Sequence, residues 1–352
     1  MTIDWIETPA LILDMDICEE NIRTMKGFLE EKKYALRPHY KSHKSPYIAH
    51  LQIREGAKGI CCAKLSEAED LVFSGIQDVL IANQITDRSK IARLAYLAGC
   101  CRLTVCVDRA DNVAALEAAA KLQGTTIHCL VEYEVGMNRC GVNTPQEFLA
   151  LAKQIDASPH LVFDGIQAYA GNLSHEENYE NRKLGSEKVE RSLRELKEYV
   201  EQNGLAVKEI SGTSTGTLEF RHQDSVFTEI QAGSYLFMDA AYNALKLKFK
   251  SALFLLTQVI SINSNWVIVD GGMKSISVDQ YKPVFRDYPD LPVRVSEEHS
   301  KMPNPGGVKM GDRLMMIPGH CCTTFNLHNY CYLVHNGKVV DRIPIISRGK
   351  ST

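Results

Sequence analysis

Four short segments carry residue types that could do chemistry together. The first is Arg37-Pro38-His39-Tyr40-Lys41-Ser42-His43-Lys44, which follows the apolar run Ala35–Pro38. If that run is a strand of a parallel barrel, Lys41 stands at its C-terminal end, where barrels carry their active sites. A lysine partly desolvated there is driven toward the neutral amine, the form that attacks a carbonyl. The same basic stretch would also serve as an ordinary solvated loop. The second segment, Glu132-Tyr133-Glu134-Val135-Gly136-Met137-Asn138-Arg139-Cys140-Gly141, again follows an apolar run and offers Arg139 as a cation between two tight turns. An exposed ion pair is the plainer use of that arginine. The third, Ser211-Gly212-Thr213-Ser214-Thr215-Gly216, has the small hydroxyl and glycine residues that expose backbone N–H groups to a phosphate, and Gly233-Ser234-Tyr235 after the next run repeats the pattern. Two such loops in succession fit the phosphate site that barrels build after their last strands, although each is also an acceptable turn. The fourth is Gly319-His320-Cys321-Cys322. In a strand, His320 and Cys322 would point to one face and offer an imidazole and a thiolate to a single metal ion, a donor pair that suits zinc. Packing inside a β domain is the competing use.

Elements must position these groups. Apolar runs at Ala10–Leu13, Ala35–Pro38, Gly59–Ala63, Val79–Ala82, Leu103–Val107, Ile127–Val131, Leu161–Ala168, Glu209–Gly212 and Glu229–Leu236 read as strands. Amphipathic stretches lie between most of them: Cys18–Glu31, Pro46–Arg54, Ser66–Phe73, Asp87–Ala98, Ala110–Lys121, Pro145–Asp156 and Glu177–Asn203. Ser66 and Glu69 have the spacing of a capping box. Strand–helix alternation predicts parallel strands with crossover helices. If Ala10–Leu13 pairs elsewhere, the runs from Ala35 to Leu236 supply a (β/α)8 barrel, with a doubly wound open sheet as the competing architecture. Beyond about Asn243 the helical spacers vanish. Phe254–Ile262, Trp266–Val269, Arg313–Ile317, Tyr330–Val334 and Val339–Ile346 read as antiparallel strands, with Asn336-Gly337 as a hairpin turn. The expected organisation is a barrel over 14–244 and a β domain made of 1–13 and 245–352.

Bulk composition narrows the function classes. A chain of 352 residues, 45% hydrophobic and 24% charged, can bury a large core and is not disordered. A net charge of -3 without basic runs argues against nucleic acid as a partner. No run approaches the roughly 20 apolar residues of a membrane span. Asp4 and Glu7 with no apolar segment between them argue against a secretory signal, so the expected location is the cytoplasm, with the eleven cysteines reduced. Cys61, Cys62, Cys106 and Cys129 lie in apolar runs and are expected in the core.

Taken together, these segments resemble the D-threonine aldolase and D-serine dehydratase family, a branch of the alanine-racemase-like PLP enzymes. The resemblance runs from Thr8-Pro9-Ala10 to Ser347-Arg348-Gly349 and is most specific at Arg37–Lys44, where family members carry Arg-Pro-His-x-Lys-Thr/Ser-His-Lys. It implies pyridoxal 5'-phosphate bound as a Schiff base on Lys41, with Lys44 as a polar neighbour. Ser66-Glu67-Ala68-Glu69 matches the helix after the second barrel strand. Arg139 matches an arginine near the cofactor ring, and Tyr169 of Gln167-Ala168-Tyr169 a tyrosine near it. His175 matches a histidine near the substrate. Thr213, Ser214, Thr215, Gly233, Ser234 and Tyr235 match the phosphate cradle, and His320 with Cys322 the metal pair. The resemblance further implies that the first strand joins the C-terminal β domain, and that two chains pair head to tail as a homodimer.

The chemistry so implied is that of a PLP- and divalent-metal-dependent lyase acting on a D-configured β-hydroxy amino acid. Zinc is favoured by the thiolate, with manganese, cobalt and magnesium as alternatives. Two reactions diverge. In β-elimination Lys41 removes the Cα proton, the metal-bound hydroxyl leaves, and a 2-oxo acid and ammonia result. In retro-aldol cleavage His175 takes the hydroxyl proton and the Cα–Cβ bond breaks to glycine and an aldehyde. Dehydratase members tend to use His-x-Cys and aldolase members His-x-Asp, so Cys322 tilts the expectation toward elimination. Pro318-Gly319-His320-Cys321 and Phe237-Met238-Asp239-Ala240 resemble the 3-hydroxy-D-aspartate aldolase branch instead. An amino-acid racemase would need a second base that the sequence does not place, and a non-catalytic PLP-binding protein would have no use for the metal pair.

Overall fold

The structure, a computed structural model, describes residues 2–32 and 34–352. By internal contacts the chain divides into two compact units, one of Met1–Gly27, Ser42–Tyr47 and Ser234–Gly349, the other of Phe28–Lys41, Ile48–Gly233 and Lys350–Thr352. Among the described residues no helix is long and apolar enough to cross a membrane.

In chain order the first strand is β1 (Ala10–Asp14), followed by α1 (Met15–Lys32). The second unit is then built from β2 (Ala35–Leu36), α2 (Pro46–Arg54), β3 (Ile60–Cys62), α3 (Leu65–Phe73), β4 (Asp78–Ile81), α4 (Arg88–Leu97), β5 (Arg102–Val107), α5 (Ala110–Gln123), β6 (Ile127–Glu132), α6 (Pro145–Asp156), β7 (Leu161–Ala168), α7 (Tyr179–Gln202), β8 (Glu209–Gly212) and β9 (Glu229–Ile230). Its eight strands are all parallel, in the order β2-β9-β8-β7-β6-β5-β4-β3. A parallel bridge from His39 to Cys61, with the Cys61 N–H donating to the Pro38 carbonyl at 3.0 Å, closes β2 onto β3. The expected barrel is therefore the one that forms, and the open sheet is not. Alternation along the strands sorts the side chains. Ile60, Val79, Ile81, Val105 and Val131 pack in the layer shared with the helices, while Cys61, Leu80, Cys106 and Leu130 form a separate inner cluster. All four expected core cysteines are fully buried, and no disulfide joins any of the eleven.

Local chemistry starts the helices where the barrel needs them. Thr144 Oγ1 accepts the Glu147 N–H at 3.2 Å, Glu147 Oε2 accepts the Thr144 N–H at 3.1 Å, and Pro145 opens α6. At α3 the box falls elsewhere than expected. Glu67 Oε2 accepts the N–H groups of Ala63 and Lys64 at 2.8 and 3.1 Å, and Ser66 Oγ donates instead to the Thr352 carbonyl at 2.5 Å. The N-cap is Lys64, two residues before Ser66, so Glu67 rather than Glu69 reaches back to the first donors. The run Glu229–Leu236 is also shorter as a strand. It pairs only at Glu229–Ile230 and then tightens into a 3-10 turn at Ser234–Leu236.

The first unit continues with α8 (Ala240–Asn243), β10 (Leu253–Ile262), β11 (Trp266–Val269), β12 (Val284–Phe285), β13 (Arg294–Val295), β14 (Ser300–Pro303), β15 (Arg313–Ile317), α9 (Cys321–Leu327), β16 (Tyr330–His335) and β17 (Lys338–Pro344). Its sheet runs β13-β14-β11-β10-β1-β16-β17, with β15 also on β10 and β12 on β15. As expected, β1 belongs here, antiparallel to β10 and parallel to β16. Asn336 and Gly337, at φ 49° and 70°, make the β16–β17 hairpin with the left-handed conformations that such a turn requires. The sequence reading draws its boundaries after residues 13 and 244, whereas the contacts carry the first part of α1 and the segment 234–244 with this sheet. Asn21 is one reason: its amide donates to the carbonyls of Leu236 and Lys250 at 3.1 and 2.8 Å and accepts the Lys250 N–H at 2.9 Å.

Candidate active site

In the barrel unit, the C-terminal ends of three strands bring Lys41, Arg139 and Tyr169 together. Lys41 lies in a 3-10 turn (Tyr40–Ser42) just past the His39–Cys61 bridge, and its N–H reaches His39 Nδ1 at 3.3 Å. Tyr169 follows β7 directly. Lys41 Nζ is 5.4 Å from the Tyr169 ring centroid and the Arg139 guanidinium carbon 5.7 Å from the same centroid. One electron-rich ring is thus approached by two cations, each in cation–π reach. The Tyr169 hydroxyl stands 3.2 Å from Ser174 Oγ, which fixes the turn that carries the half-buried His175.

The loop after β8 is tight. Gly212 has no side chain, and a Cβ there would run into the Ala168 carbonyl of the neighbouring strand. Thr213 takes the left-handed conformation, φ 67°. Ser214 serves the loop itself: its N–H donates to Thr217 Oγ1 at 3.1 Å and its Oγ lies 3.2 Å from the same atom. The hydroxyls of Thr213 and Thr215 are buried and meet no hydrogen-bond partner among the described residues. Buried hydroxyls left in that state are rare in folded proteins and point to a ligand. Gly233 follows β9 in the same unit.

Glu132 emerges as a residue whose importance the sequence reading missed. It is the last residue of β6, inward-facing like His128 and Leu130, and 6% exposed. Gln84 donates to its Oε2 at 2.6 Å and Arg139 lies 3.9 Å from its Oε1. Burial pushes its carboxyl above the ordinary range, against the opposing hydrogen bond from Gln84 and charge of Arg139. The signal available in the sequence was alternation, which places residues 128, 130 and 132 on one face.

Beneath this mouth the barrel is polar. Arg37 Nε lies 2.9 Å from Glu229 Oε1 and its Nη1 bonds Asp78 at 2.7 Å. Ser211 Oγ donates to Glu229 at 2.6 Å, and Gln231 Nε2 donates to Ser211 Oγ at 2.8 Å and Gln167 Oε1 at 2.7 Å. On the other side Asp164 accepts from Arg102 at 2.6 Å and meets His128 Nδ1 at 2.8 Å.

The β unit holds Ser234, Tyr235, His320 and Cys322. Ser234 and Tyr235 are buried in the 3-10 turn, with the Tyr235 ring edge-on to Phe249 at 5.7 Å. His320 and Cys322 are not in a strand, which corrects the alternation argument. Pro318-Gly319 end the extended chain after β15, His320 is the N-cap of α9 and Cys322 lies in its first turn. A Cβ on Gly319 would strike the Tyr281 carbonyl, so only glycine permits the bend. The two side chains still meet. Burial draws the His320 imidazole down, but its hydrogen bond to Cys322, the thiolate charge and Asp279 outweigh that and lift it to about 9. Asp279 Oδ2 is 3.0 Å from His320 Nδ1. Asp239 is fully buried and accepts the N–H of Cys321 at 2.8 Å and of Tyr242 at 2.9 Å, so it pins the His320–Cys321 peptide. Burial raises the Asp239 carboxyl, against those two hydrogen bonds. Among the described residues, no group of three or more His, Cys, Asp or Glu side chains is arranged to hold a metal ion.

Residues 13–241 match the alanine racemase N-terminal domain family and residues 252–334 a serine dehydratase domain family. The chain is 39% identical to 3-hydroxy-D-aspartate aldolase of Paracoccus denitrificans (strain Pd 1222), with 98% of this chain and 93% of that protein covered. It is 38% identical to D-threonine aldolase of an Arthrobacter species, covering 98% and 94%. The crystal structure of D-threonine aldolase from Filomicrobium marinum superposes with a TM-score of 0.96 at 34% identity, over 100% of this chain and 98% of that one. With the lysine at the mouth of a closed parallel barrel and likeness along the full length, the chain belongs to the D-threonine aldolase and D-serine dehydratase family of PLP-dependent lyases, built on the alanine racemase barrel.

Proposed function

We propose that the protein cleaves a D-configured β-hydroxy amino acid by a retro-aldol reaction, giving glycine and an aldehyde, with PLP and a divalent metal as cofactors. The cluster of Lys41, Arg139 and Tyr169 at the barrel mouth carries the reading. Its direction toward aldol cleavage rests on full-length relatives that are themselves aldolases, 3-hydroxy-D-aspartate aldolase and D-threonine aldolase. Residues 14–244 would form the cofactor-binding part, and 1–13 with 245–352 the metal-bearing part.

The residues fit PLP. Lys41 would hold it, Arg139 and Tyr169 would flank its ring, and the Thr213 and Thr215 hydroxyls, buried without partners, are what a phosphate would satisfy. Ser214 and Gly233 complete the barrel unit's share of the proposed cradle, and the resemblance adds Ser234 and Tyr235. When bound, PLP supplies an electron sink for the negative charge that develops at Cα. His175 is the proposed base. It takes the β-hydroxyl proton as the Cα–Cβ electron pair passes to Cα and Cβ departs as the aldehyde carbon, and that proton is then returned to Cα to give glycine. Tyr169, through Ser174, holds the turn from which His175 acts.

The donor set of His320 and Cys322 fits a divalent cation. A carboxylate only accepts hydrogen bonds, so Asp279 would keep the proton on Nδ1 and leave Nε2 for the cation. Such a cation supplies Lewis acidity toward a hydroxyl oxygen. Zinc is the first metal to test because one donor is a thiolate. The implied homodimer and cytoplasmic location are part of the same reading.

One observation favours a second reaction. Cys322 stands where aldolase members tend to carry Asp, in a segment that matches the serine dehydratase domain. In that reading Lys41 removes the Cα proton and the hydroxyl leaves. The test is to incubate the PLP-loaded, metal-replete protein with D-threonine, D-threo-3-hydroxyaspartate and D-serine, assaying separately for glycine plus aldehyde and for 2-oxo acid plus ammonia, with a chelator control. Glycine lost on chelation supports the proposal. A 2-oxo acid replaces it with elimination. Neither product, with a visible Schiff-base band that vanishes in Lys41→Ala, overturns both reactions and leaves racemisation or PLP binding.

A further inference from the structure

We infer that Asp279 is a positioning residue for the His320/Cys322 metal pair, orienting the imidazole from outside the coordination sphere. The inference rests on the metal reading above and adds a residue to it.

The geometry decides between an outer position and direct ligation. Both oxygens of Asp279 are already engaged. Oδ2 faces His320 Nδ1 at 3.0 Å, and Oδ1 accepts from Thr323 Oγ1 at 2.9 Å and from the Ser277 hydroxyl. Thr323 Oγ1 also lies 2.7 Å from Ser277 Oγ. The carboxylate is therefore held by two hydroxyls, although almost half of its side-chain surface faces solvent, 47%. An exposed carboxylate tied this firmly has been ordered for something, since ordering it costs side-chain entropy.

His320 is held at its other end by the same segment. Its carbonyl accepts Thr324 Oγ1 at 2.8 Å, and Thr324 Oγ1 in turn accepts the Ser277 N–H at 3.1 Å. The Gly319 N–H donates to the Ser277 carbonyl at 3.2 Å. Residues 277–279 thus bracket both the backbone and the ring of His320. A ligand ring with two rotatable bonds gains most from that kind of bracket, and a carboxylate on its distal nitrogen also makes the coordinating nitrogen more basic.

The test uses the full-length, PLP-loaded protein stripped of metal and titrated with Co(II) as the probe, in the absence of substrate. Affinity is read by chelator competition, and ligand number and type from the cobalt d–d and thiolate charge-transfer bands. The expected result is that Asp279→Ala weakens Co(II) binding by about 10–100-fold while the bands at saturation keep the wild-type pattern. Asp279→Asn should recover part of the loss, because its amide oxygen still accepts the Nδ1 proton. Unchanged affinity in Asp279→Ala would overturn the inference. So would a changed band pattern in both variants, which would make Asp279 a direct ligand. Failure of the metal pair itself looks different: the wild type gives no thiolate band, or the band survives in Cys322→Ser, and the inference falls with it.

Discussion

Lys41 Nζ stands 5.4 Å from the centroid of the Tyr169 ring, on a ring that Arg139 also approaches. The two cations follow different strands and approach one aromatic ring. A cation–π contact of about 0.5–2 kcal/mol then helps hold the amine where it must react. Tyr169→Leu should lower kcat about tenfold, while Tyr169→Phe, which keeps the ring, should stay within a few-fold. Steady-state kinetics on both variants, with Lys41→Ala as the inactive reference, checks this. Equal loss in Phe and Leu would shift the weight from the ring to the hydroxyl that meets Ser174.

Thr213 and Thr215 separate folding from binding. Their hydroxyls are buried and bond nothing among the described residues, so replacing either with the near-isosteric valine removes a desolvation cost without removing a hydrogen bond seen in the structure. Apo-protein Tm should stay level or rise. PLP affinity should fall about tenfold or more per hydroxyl, the worth of a hydrogen bond to a charged group of about 1.5–3 kcal/mol. Thermal melts of the apo-protein and fluorescence titration with PLP read the two effects independently. A lowered apo Tm with unchanged PLP affinity would make these threonines structural.

What was legible in the sequence followed from local rules. Short apolar runs alternating with amphipathic stretches gave the barrel strands, and the stretch Pro145–Asp156 coincides with α6 at both ends. The Arg37–Lys44 stretch was readable because its residue types are specific. The conformation around His320 was not, because Pro318-Gly319 look like a strand end only once the Tyr281 carbonyl is known to occupy the space of a Cβ. Asp279 lies 41 residues from His320, and no spacing rule joins them. The polar layer under the barrel mouth was invisible for the same reason. Arg37, Glu229, Ser211, Gln231 and Gln167 come from four strands and pair only when the barrel closes.

That layer has a stability signature. Arg37 and Glu229 are 3% and 2% exposed and meet at 2.9 Å, while Lys58 stands 3.5 Å from the same carboxylate. Glu229→Leu leaves Arg37 buried with only Asp78 to balance it and should cost about 3–5 kcal/mol. Urea unfolding reads that loss. A change under about 1 kcal/mol would mean that Asp78 alone suffices for Arg37.

Asp164 contributes a pH dependence to stability. Burial pushes its carboxyl up, but the hydrogen bond and charge of His128, with Arg102 and Lys208, pull harder and leave it below the ordinary carboxylate range. A carboxyl whose folded pKa lies below its unfolded value of about 3.9 binds fewer protons in the native state. Its stabilisation is therefore fully present above the unfolded value and disappears as pH falls through the folded one. Asp164→Asn, which cannot titrate, should be less stable than wild type at pH 7, and the gap should close as the pH is lowered below about 4. Denaturant unfolding of both proteins from pH 7 to pH 3 measures it. A gap that stays constant across that range would mean that the loss is one of packing and hydrogen bonding, with no contribution from the ionised carboxylate.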